Sequence, residues 1–275
     1  MGRVSRFRNI FGINELSVFS PLWKALLAEY IGTALLVLIG CGSCIGDWTR
    51  DYKPTVVQIA LAFGLAVGCI VHAIGHVSGG HINPAVTMAM MLTGKCSVIR
   101  SVFYIICQCL GAVTGAGLLK ALTPTAQNEV LGTTLVNSNL TPVQAWGVEF
   151  LITFALVLTV FSVCDANRRD ATGSPALTIG LIVVTSHLFA VNYTGSSMNC
   201  ARSLGPAVFS GMWKDHWVYW IGPLSGGIVG GLLYDAVFST FPPSLPKSEG
   251  VEACSSKICT DEDEKEVIAD RTTTI

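Results

Sequence analysis

The sequence predicts an all-α membrane protein in which six spanning helices and two shorter, re-entrant half-helices form an inverted repeat. Three observations lead there: too little charge for a soluble surface, six apolar runs of spanning length, and a near-constant offset relating the two halves. Of 275 residues, 51% are apolar and 13% charged, with a mean hydropathy of +0.57. Soluble domains carry about 25% charged residues, so lipid is the solvent this surface suits. The charge is also unevenly placed. Eight of the 18 acids (Glu249, Glu252, Asp261, Glu262, Asp263, Glu264, Glu266 and Asp270) follow Leu245. No basic patch points to nucleic acid.

A spanning helix needs about 20 mostly apolar residues. Segments 22–45, 55–74, 98–119, 143–164, 175–191 and 217–238 qualify. The first is too long and too glycine-rich for the apolar core of a cleavable signal peptide, and reads as a span. Segments 83–92 (NPAVTMAMML) and 199–209 (NCARSLGPAVF) are too short to cross. Each follows a small-residue approach, Ser78-Gly79-Gly80 and Gly195-Ser196-Ser197. Short interrupted segments at matching places in two halves point to a transport site. Residues 1–20 are expected to be a cytoplasmic segment, 21–244 the membrane domain (halves about 21–122 and 141–240), and 245–275 a disordered acidic tail.

Lysines and arginines near the spans set the orientation. Arg3, Arg6, Arg8, Lys24, Lys95, Arg100, Arg168, Arg169 and Lys247 fall on one side; Arg50, Lys53, Lys120 and Lys214 fall on the other. The richer side is expected to be cytoplasmic, with both termini on it. Ten cysteines are present. Most sit in apolar runs, where a free thiol behaves as a small hydrophobe, and no structural disulfide is expected. No metal-ligand spacing, cofactor motif or catalytic constellation is read, so the chain is not expected to be an enzyme.

The repeat is explicit. E-Y-I-G-T-A-L-L-V-L at 29–38 matches E-F-L-I-T-F-A-L-V-L at 149–158. L-A-F-G-L at 61–65 matches L-T-I-G-L at 177–181, the same offset of 116 that separates Asn83 from Asn199. Tyr104, Gly111 and Gly115 match Tyr219, Gly226 and Gly230 at 115. Each half holds three spans, so the halves face opposite ways. The paired glycines allow close helix crossing. Glu29 and Glu149 are membrane-buried acids, a class that by default suggests ion transport. Their symmetry instead suggests acceptors for backbone N–H groups of the two non-helical loops.

Asn is a favoured helix cap and Pro a favoured first helical residue. Asn83-Pro84-Ala85 and Asn199-Cys200-Ala201 therefore start two half-helices entering from opposite faces. Their N-termini meet near the midplane, each with about half a positive charge, a field hostile to cations and protons. Water there can turn its oxygen to both Asn amides. Carbonyls of Gly79, Gly80, His81, Gly195, Ser196 and Ser197 can supply acceptors, since irregular backbone is tolerated in a membrane where it lines a cavity.

S-G-G-H-I-N-P-A-V-T at 78–87 and T-G-S-S-M-N-C-A-R-S-L-G-P-A at 194–207 resemble the paired motifs of the aquaporin (major intrinsic protein) family. The resemblance covers about residues 20–240, most closely to water-selective animal members. It implies a homotetramer, one pore per subunit, with water as permeant and lipid as surround. Cys200 departs from the family's Pro; it costs the turn some pre-organisation and suggests a thiol reachable by mercurials. The resemblance also implies an outer filter of Phe63, His187, Ser196 and Arg202. Phe63 with His187 points to water, while glycerol-conducting members usually carry Asp where Ser203 stands. Of the other histidines, His81 is a lining candidate, and His72 and His76 are read as structural.

Asn139-Leu140-Thr141 is a glycosylation sequon. Residues 273–275, Thr-Thr-Ile, resemble a PDZ-domain ligand, and Cys254 and Cys259 are candidates for acylation. The leading reading is a passive water channel excluding protons and ions. Alternatives are a channel of the same fold passing glycerol, urea or peroxide, and a coupled transporter.

Overall fold

The computed structural model describes residues 10–13, 15, 19–46, 48, 52–168, 170 and 172–240. The acidic tail with Cys254, Cys259 and the 273–275 ending, and the basic residues Arg3, Arg6, Arg8, Arg50, Arg169 and Lys247, lie outside them. The helices are α1 (Phe19–Gly42), α2 (Val56–Ser78), α3 (Pro84–Leu92), α4 (Val98–Leu122), α5 (Pro142–Val163), α6 (Pro175–Thr194), α7 (Cys200–Ser210) and α8 (Val218–Leu233). A π turn, Tyr234–Phe238, continues α8. No strand occurs among the described residues.

Among the described residues six helices have the length and apolarity to cross a membrane: Leu22–Gly42, Val56–Ser78, Val98–Leu122, Pro142–Val163, Pro175–Thr194 and Val218–Phe238. They are the six expected. Helices α2 and α6 run three or four residues past the expected ends because glycine, not hydropathy, stops them. Gly79 (φ 92°) and Gly195 (φ 79°) take the left-handed conformation, and their N–H groups bond back to Gly75 and Val191; this is the usual glycine stop. At the other ends, Thr55, Ser97, Thr141 and Ser174 each accept a backbone N–H in the first turn. Pro142 and Pro175 follow two of these caps, where a missing N–H costs nothing.

The repeat reappears as packing. Helix α1 packs on α4, α5 on α8, and α2 on α6. A methyl group built on Gly111 or Gly115 would stand 2.2 Å from the carbonyl oxygen of Tyr30 or Ala34. On Gly226 or Gly230 it would stand 2.1 or 2.8 Å from that of Phe150 or Phe154. The two crossings are thus copies, with backbone against backbone. Between α2 and α6 the relation is reciprocal: a methyl on Gly64 would meet the Gly180 oxygen at 2.5 Å, and one on Gly180 the Gly64 oxygen at 2.6 Å. Residues 64 and 180 are themselves 116 apart, so this contact marks the axis relating the halves. The outer surface is apolar, as a lipid-facing surface must be. On α1, Leu27, Ile31, Leu35 and Ile39 recur every fourth residue and are exposed.

Candidate permeation site

Two loops, 79–83 and 195–199, interrupt the helical ladder in mid-membrane, where every backbone N–H needs a partner. The acids supply it. Glu29 Oε1 accepts from Ser78 Oγ (2.6 Å) and His81 N (2.9 Å), and Oε2 from Ile82 N (2.6 Å) and Gln108 Nε2 (2.8 Å). Glu149 Oε1 accepts from Thr194 Oγ1 (2.6 Å) and Ser197 N (2.9 Å), and Oε2 from Met198 N (2.9 Å). Donors 78, 81 and 82 sit 116 residues before 194, 197 and 198, so these three are equivalent in the two halves, and Gln108 is an addition on the Glu29 side. Tyr104 and Tyr219 add matching hydroxyl bonds to the Ser78 and Thr194 carbonyls at 2.8 and 2.9 Å. This clamping holds Ile82 (φ 43°), Ser196 (φ 53°) and Met198 (φ 56°) in the left-handed region, which non-glycine residues enter only when their surroundings fix them. The result presents the Ile82 and Met198 carbonyls to the asparagine of the opposite half.

Asn83 and Asn199 stand where the loops become helices, both extended (φ −155° and −154°). Asn83 Oδ1 accepts from Ala85 N at 2.9 Å; Asn199 Oδ1 accepts from Ala201 N at 3.0 Å and Arg202 N at 3.2 Å. Pro84 and Cys200 occupy the first helical positions. The amides also cross the repeat. Asn83 Nδ2 donates to Met198 O, and Asn199 Nδ2 to Ile82 O, both at 2.8 Å. Each amide has two hydrogens, so one remains for a permeant.

Both Asn side chains line a cavity of about 770 Å³. It runs from Cys164, Gly173 and Ser174 at one end to Phe63, His187 and Arg202 at the other. Its lining combines Gly79, Gly80, His81, Ile82, Ser197 and Met198 from the loops with the aliphatic Val67, Val71, Val160, Ile179 and Val183 from the long helices. Gly195 and Ser196 are not part of this lining. Two readings need correction. His72 and His76 are exposed and line the cavity rather than packing structurally, because that face of α2 looks into the cavity. Cys200 is fully buried, its sulfur 4.0 Å from the Trp220 carbonyl oxygen and outside the lining. As the first residue of α7, it projects toward α8, so its thiol is not a pore-facing target for mercurials.

At the far end the Phe63 and His187 rings stack at 4.6 Å, and the Arg202 guanidinium carbon lies 4.7 Å from the Phe63 ring centre. Phe63, His187 and Arg202 are each 2% exposed and Ser196 0%, so this end of the cavity is closely packed. Arg202 Nη1 donates to Gly132 O at 2.8 Å. His187 Nδ1 lies 3.0 Å from Val183 O. A carbonyl only accepts, so Nδ1 carries the proton and Nε2 of the neutral ring is an acceptor. Among the described residues four buried side-chain polar atoms lack a protein partner: His187 Nε2, Ser196 Oγ, Arg202 Nε and His216 Nε2. Three of the four belong to this one cluster. Buried polar atoms are normally satisfied, so His187 and Arg202, which both line the cavity, offer an acceptor and a donor to something that passes.

Two half-helix caps bonded across an internal repeat, below such a cluster, are the arrangement the motifs at 78–87 and 194–207 imply. Residues 16–234 match the family model described as Major intrinsic protein. The chain belongs to the major intrinsic protein family. It is 52% identical over 219 residues to Aquaporin-4 of Mus musculus, covering 78% of this chain and 68% of that one. To Aquaporin-2 of Bos taurus it is 50% identical over 226 residues, 82% of each. Among solved structures, the aquaglyceroporin from Plasmodium falciparum superposes with a TM-score of 0.72 at 24% identity, covering 79% of this chain and 97% of the other; that likeness speaks for the family's fold.

Sequence reasoning missed several supports of the site. Tyr104 and Tyr219 were visible as repeat partners, without a role. Gln108, bonded to Glu29 and to Thr87 Oγ1 at 3.0 Å, carries no counterpart signal. Gly132 acts through its carbonyl, which no side-chain pattern reveals. Asn139 is exposed, in a loop tied down by Asn137, whose N–H and side chain bond Tyr193 O and Asn192 O at 2.9 Å.

Proposed function

We propose that this chain is a passive water channel, driven osmotically and closed to protons and ions. The observation that carries the proposal is the cluster of unpartnered polar atoms on His187, Ser196 and Arg202 beside Phe63. Water both donates and accepts, and so satisfies Nε2 of His187 and Nε–H of Arg202 in turn. A larger solute finds little room beside Phe63, His187 and Arg202, each almost fully buried. Arg202 adds a fixed charge against cations.

At the asparagines, the second hydrogen of each amide donates to one water oxygen. With both lone pairs taken, that water cannot accept a proton from its neighbour, and the facing half-helix N-termini raise the cost of positive charge further. Glu29 and Glu149 serve as loop acceptors. Their oxygens are occupied and neither lines the cavity, which argues against coupled transport.

The same reading takes in Pro84, Ala85, Cys200 and Ala201 as the first turns of the half-helices behind the asparagines, and the lining carbonyls of Gly79, Gly80, His81 and Ser197. It includes a homotetramer in the plasma membrane with both termini cytoplasmic, supported by the lysine and arginine bias and by the family. It also includes a glycan on Asn139, supported by its exposure, and a PDZ-type partner at 273–275, supported by the terminal sequence alone. The test of selectivity is swelling of proteoliposomes in gradients of impermeant sugar, glycerol, urea and peroxide. Water should move well above the protein-free rate and glycerol at that rate. Glycerol flux comparable to that of dedicated glycerol channels would overturn water selectivity.

A further inference from the structure

His72 and His76 remain unused by this mechanism. They lie four residues apart on α2, so they share one face of a continuous helix, with β-carbons about 5–6 Å apart. Both are exposed and both line the cavity, with Gly75, Gly173 and Ser174. Neither imidazole hydrogen-bonds within the described residues. A methyl built on Gly75 or Gly173 would meet nothing within 4 Å, so open space adjoins the pair. Paired histidines at this spacing on one helical face are a recognised way to hold a transition-metal ion.

We propose that His72 and His76 form a two-imidazole site for a borderline divalent ion such as nickel, zinc or copper(II), and that an ion held there obstructs the cavity mouth. The chemistry is specific to that class: neutral imidazole suits these ions, while hard ions prefer oxygen. Among the described residues no third His, Cys, Asp or Glu gathers with the pair, so water completes the coordination and the site is reversible. Among the described residues no carboxylate or carbonyl is hydrogen-bonded to either ring, and such support is worth about 10–100-fold in metal affinity. The ion stops at the mouth because Arg202 and the two half-helix N-termini lie deeper along the cavity. Binding stands apart from the water-channel reading; only the obstruction rests on it.

The test uses the untagged full chain and nickel chloride. Calorimetry in detergent should show one saturable site per chain. His72→Gln and His76→Gln should each weaken it by about 100-fold, the advantage of a second ligand held at short range, and the double variant should abolish it. In proteoliposomes with nickel on both faces, water permeability of the wild type should fall at least severalfold and return on chelation; the double variant should be unaffected. Cys164→Ser should behave as wild type, although Cys164 lines the same cavity. Absence of saturable binding to the wild type overturns the proposal, as does equal binding by the double variant or loss of binding in Cys164→Ser. Binding with unchanged flux overturns the obstruction. A chain that passes no water before nickel is added refutes the channel reading instead, while calorimetry still decides the site.

Discussion

Replacing Glu149 by Gln keeps shape and volume but removes a charge and one acceptor. In the native site Oε1 takes Thr194 Oγ1 and Ser197 N, and Oε2 takes Met198 N. The Gln carbonyl oxygen can keep one side of this set. Its NH₂ group then faces a backbone N–H, two donors pointed at each other, and Met198 N or Ser197 N is left bare. An orphaned buried N–H costs about 1–3 kcal/mol, and bonds to a charged acceptor are each stronger than neutral ones by about 1 kcal/mol. The sum is about 2–4 kcal/mol of stability, concentrated on loop 195–199. For a chain of this size that corresponds to a fall in Tm of about 4–16 °C. Because Met198 O receives the Asn83 amide, a loosened loop also misplaces the other half's cap, so water permeability should drop with Tm. Scanning fluorimetry of purified protein and stopped-flow swelling measure the two. Glu29→Gln should also lower Tm, since Ser78, His81 and Ile82 are the repeat equivalents of the Glu149 donors. A Glu149→Gln protein with unchanged Tm and unchanged flux would refute the loop-clamp argument.

Arg202→Ala should widen the constriction and free the Gly132 carbonyl, so glycerol uptake should rise above the protein-free rate; uptake that stays at that rate counts against the filter. Gly180→Ala drives a methyl to 2.6 Å from the Gly64 oxygen, where backbone must move. It should cost about 1–3 kcal/mol, read as a lowered Tm; an unchanged Tm contradicts the close crossing. Cys200→Pro should be tolerated, gaining up to about 1 kcal/mol from a stiffer unfolded chain, with mercury sensitivity unchanged; a lost response would mean the thiol is reachable after all. Asp165 is held low, at about 2, chiefly by the backbone N–H groups of Thr240 and Asn167. Its folded value lies below the ordinary 3.8, so its tether to Thr240 is present above pH 4 and is lost only as pH falls toward 2. Amide exchange at Thr240 should therefore be flat from pH 8 to 5 after correction for intrinsic rate; a loss of protection near neutrality contradicts the assignment.

The spans, the two short segments, the caps and the repeat were legible because each depends on local chemistry or on self-similarity. Asn83 and Asn199 cap as their residue type dictates, and a shared offset reports symmetry without any coordinates. Direction around a membrane helix was not legible. Helix α2 is apolar on the face toward lipid and largely apolar on the face toward the cavity, so its periodicity does not say that His72 and His76 look inward. The same holds for Cys200: a first helical residue can point to the axis or to the neighbouring helix, and only the approach of α8 decides. Supports that act through backbone, such as the carbonyls of Gly132, Ile82 and Met198, leave no trace in side-chain pattern. The helix ends at Ser78 and Thr194 were readable in principle from Gly79 and Gly195, but hydropathy places them earlier.

The central claim is that water passes the paired asparagines while protons do not. The most direct measurement is simultaneous: proteoliposomes loaded with a pH-sensitive dye, subjected to an osmotic step and a proton gradient, with wild type and Asn199→Asp compared. Wild-type vesicles should show water permeability well above that of protein-free vesicles and a dye signal no faster than theirs. Wild-type vesicles that shrink no faster than protein-free ones, or that acidify as fast as they shrink, would contradict it.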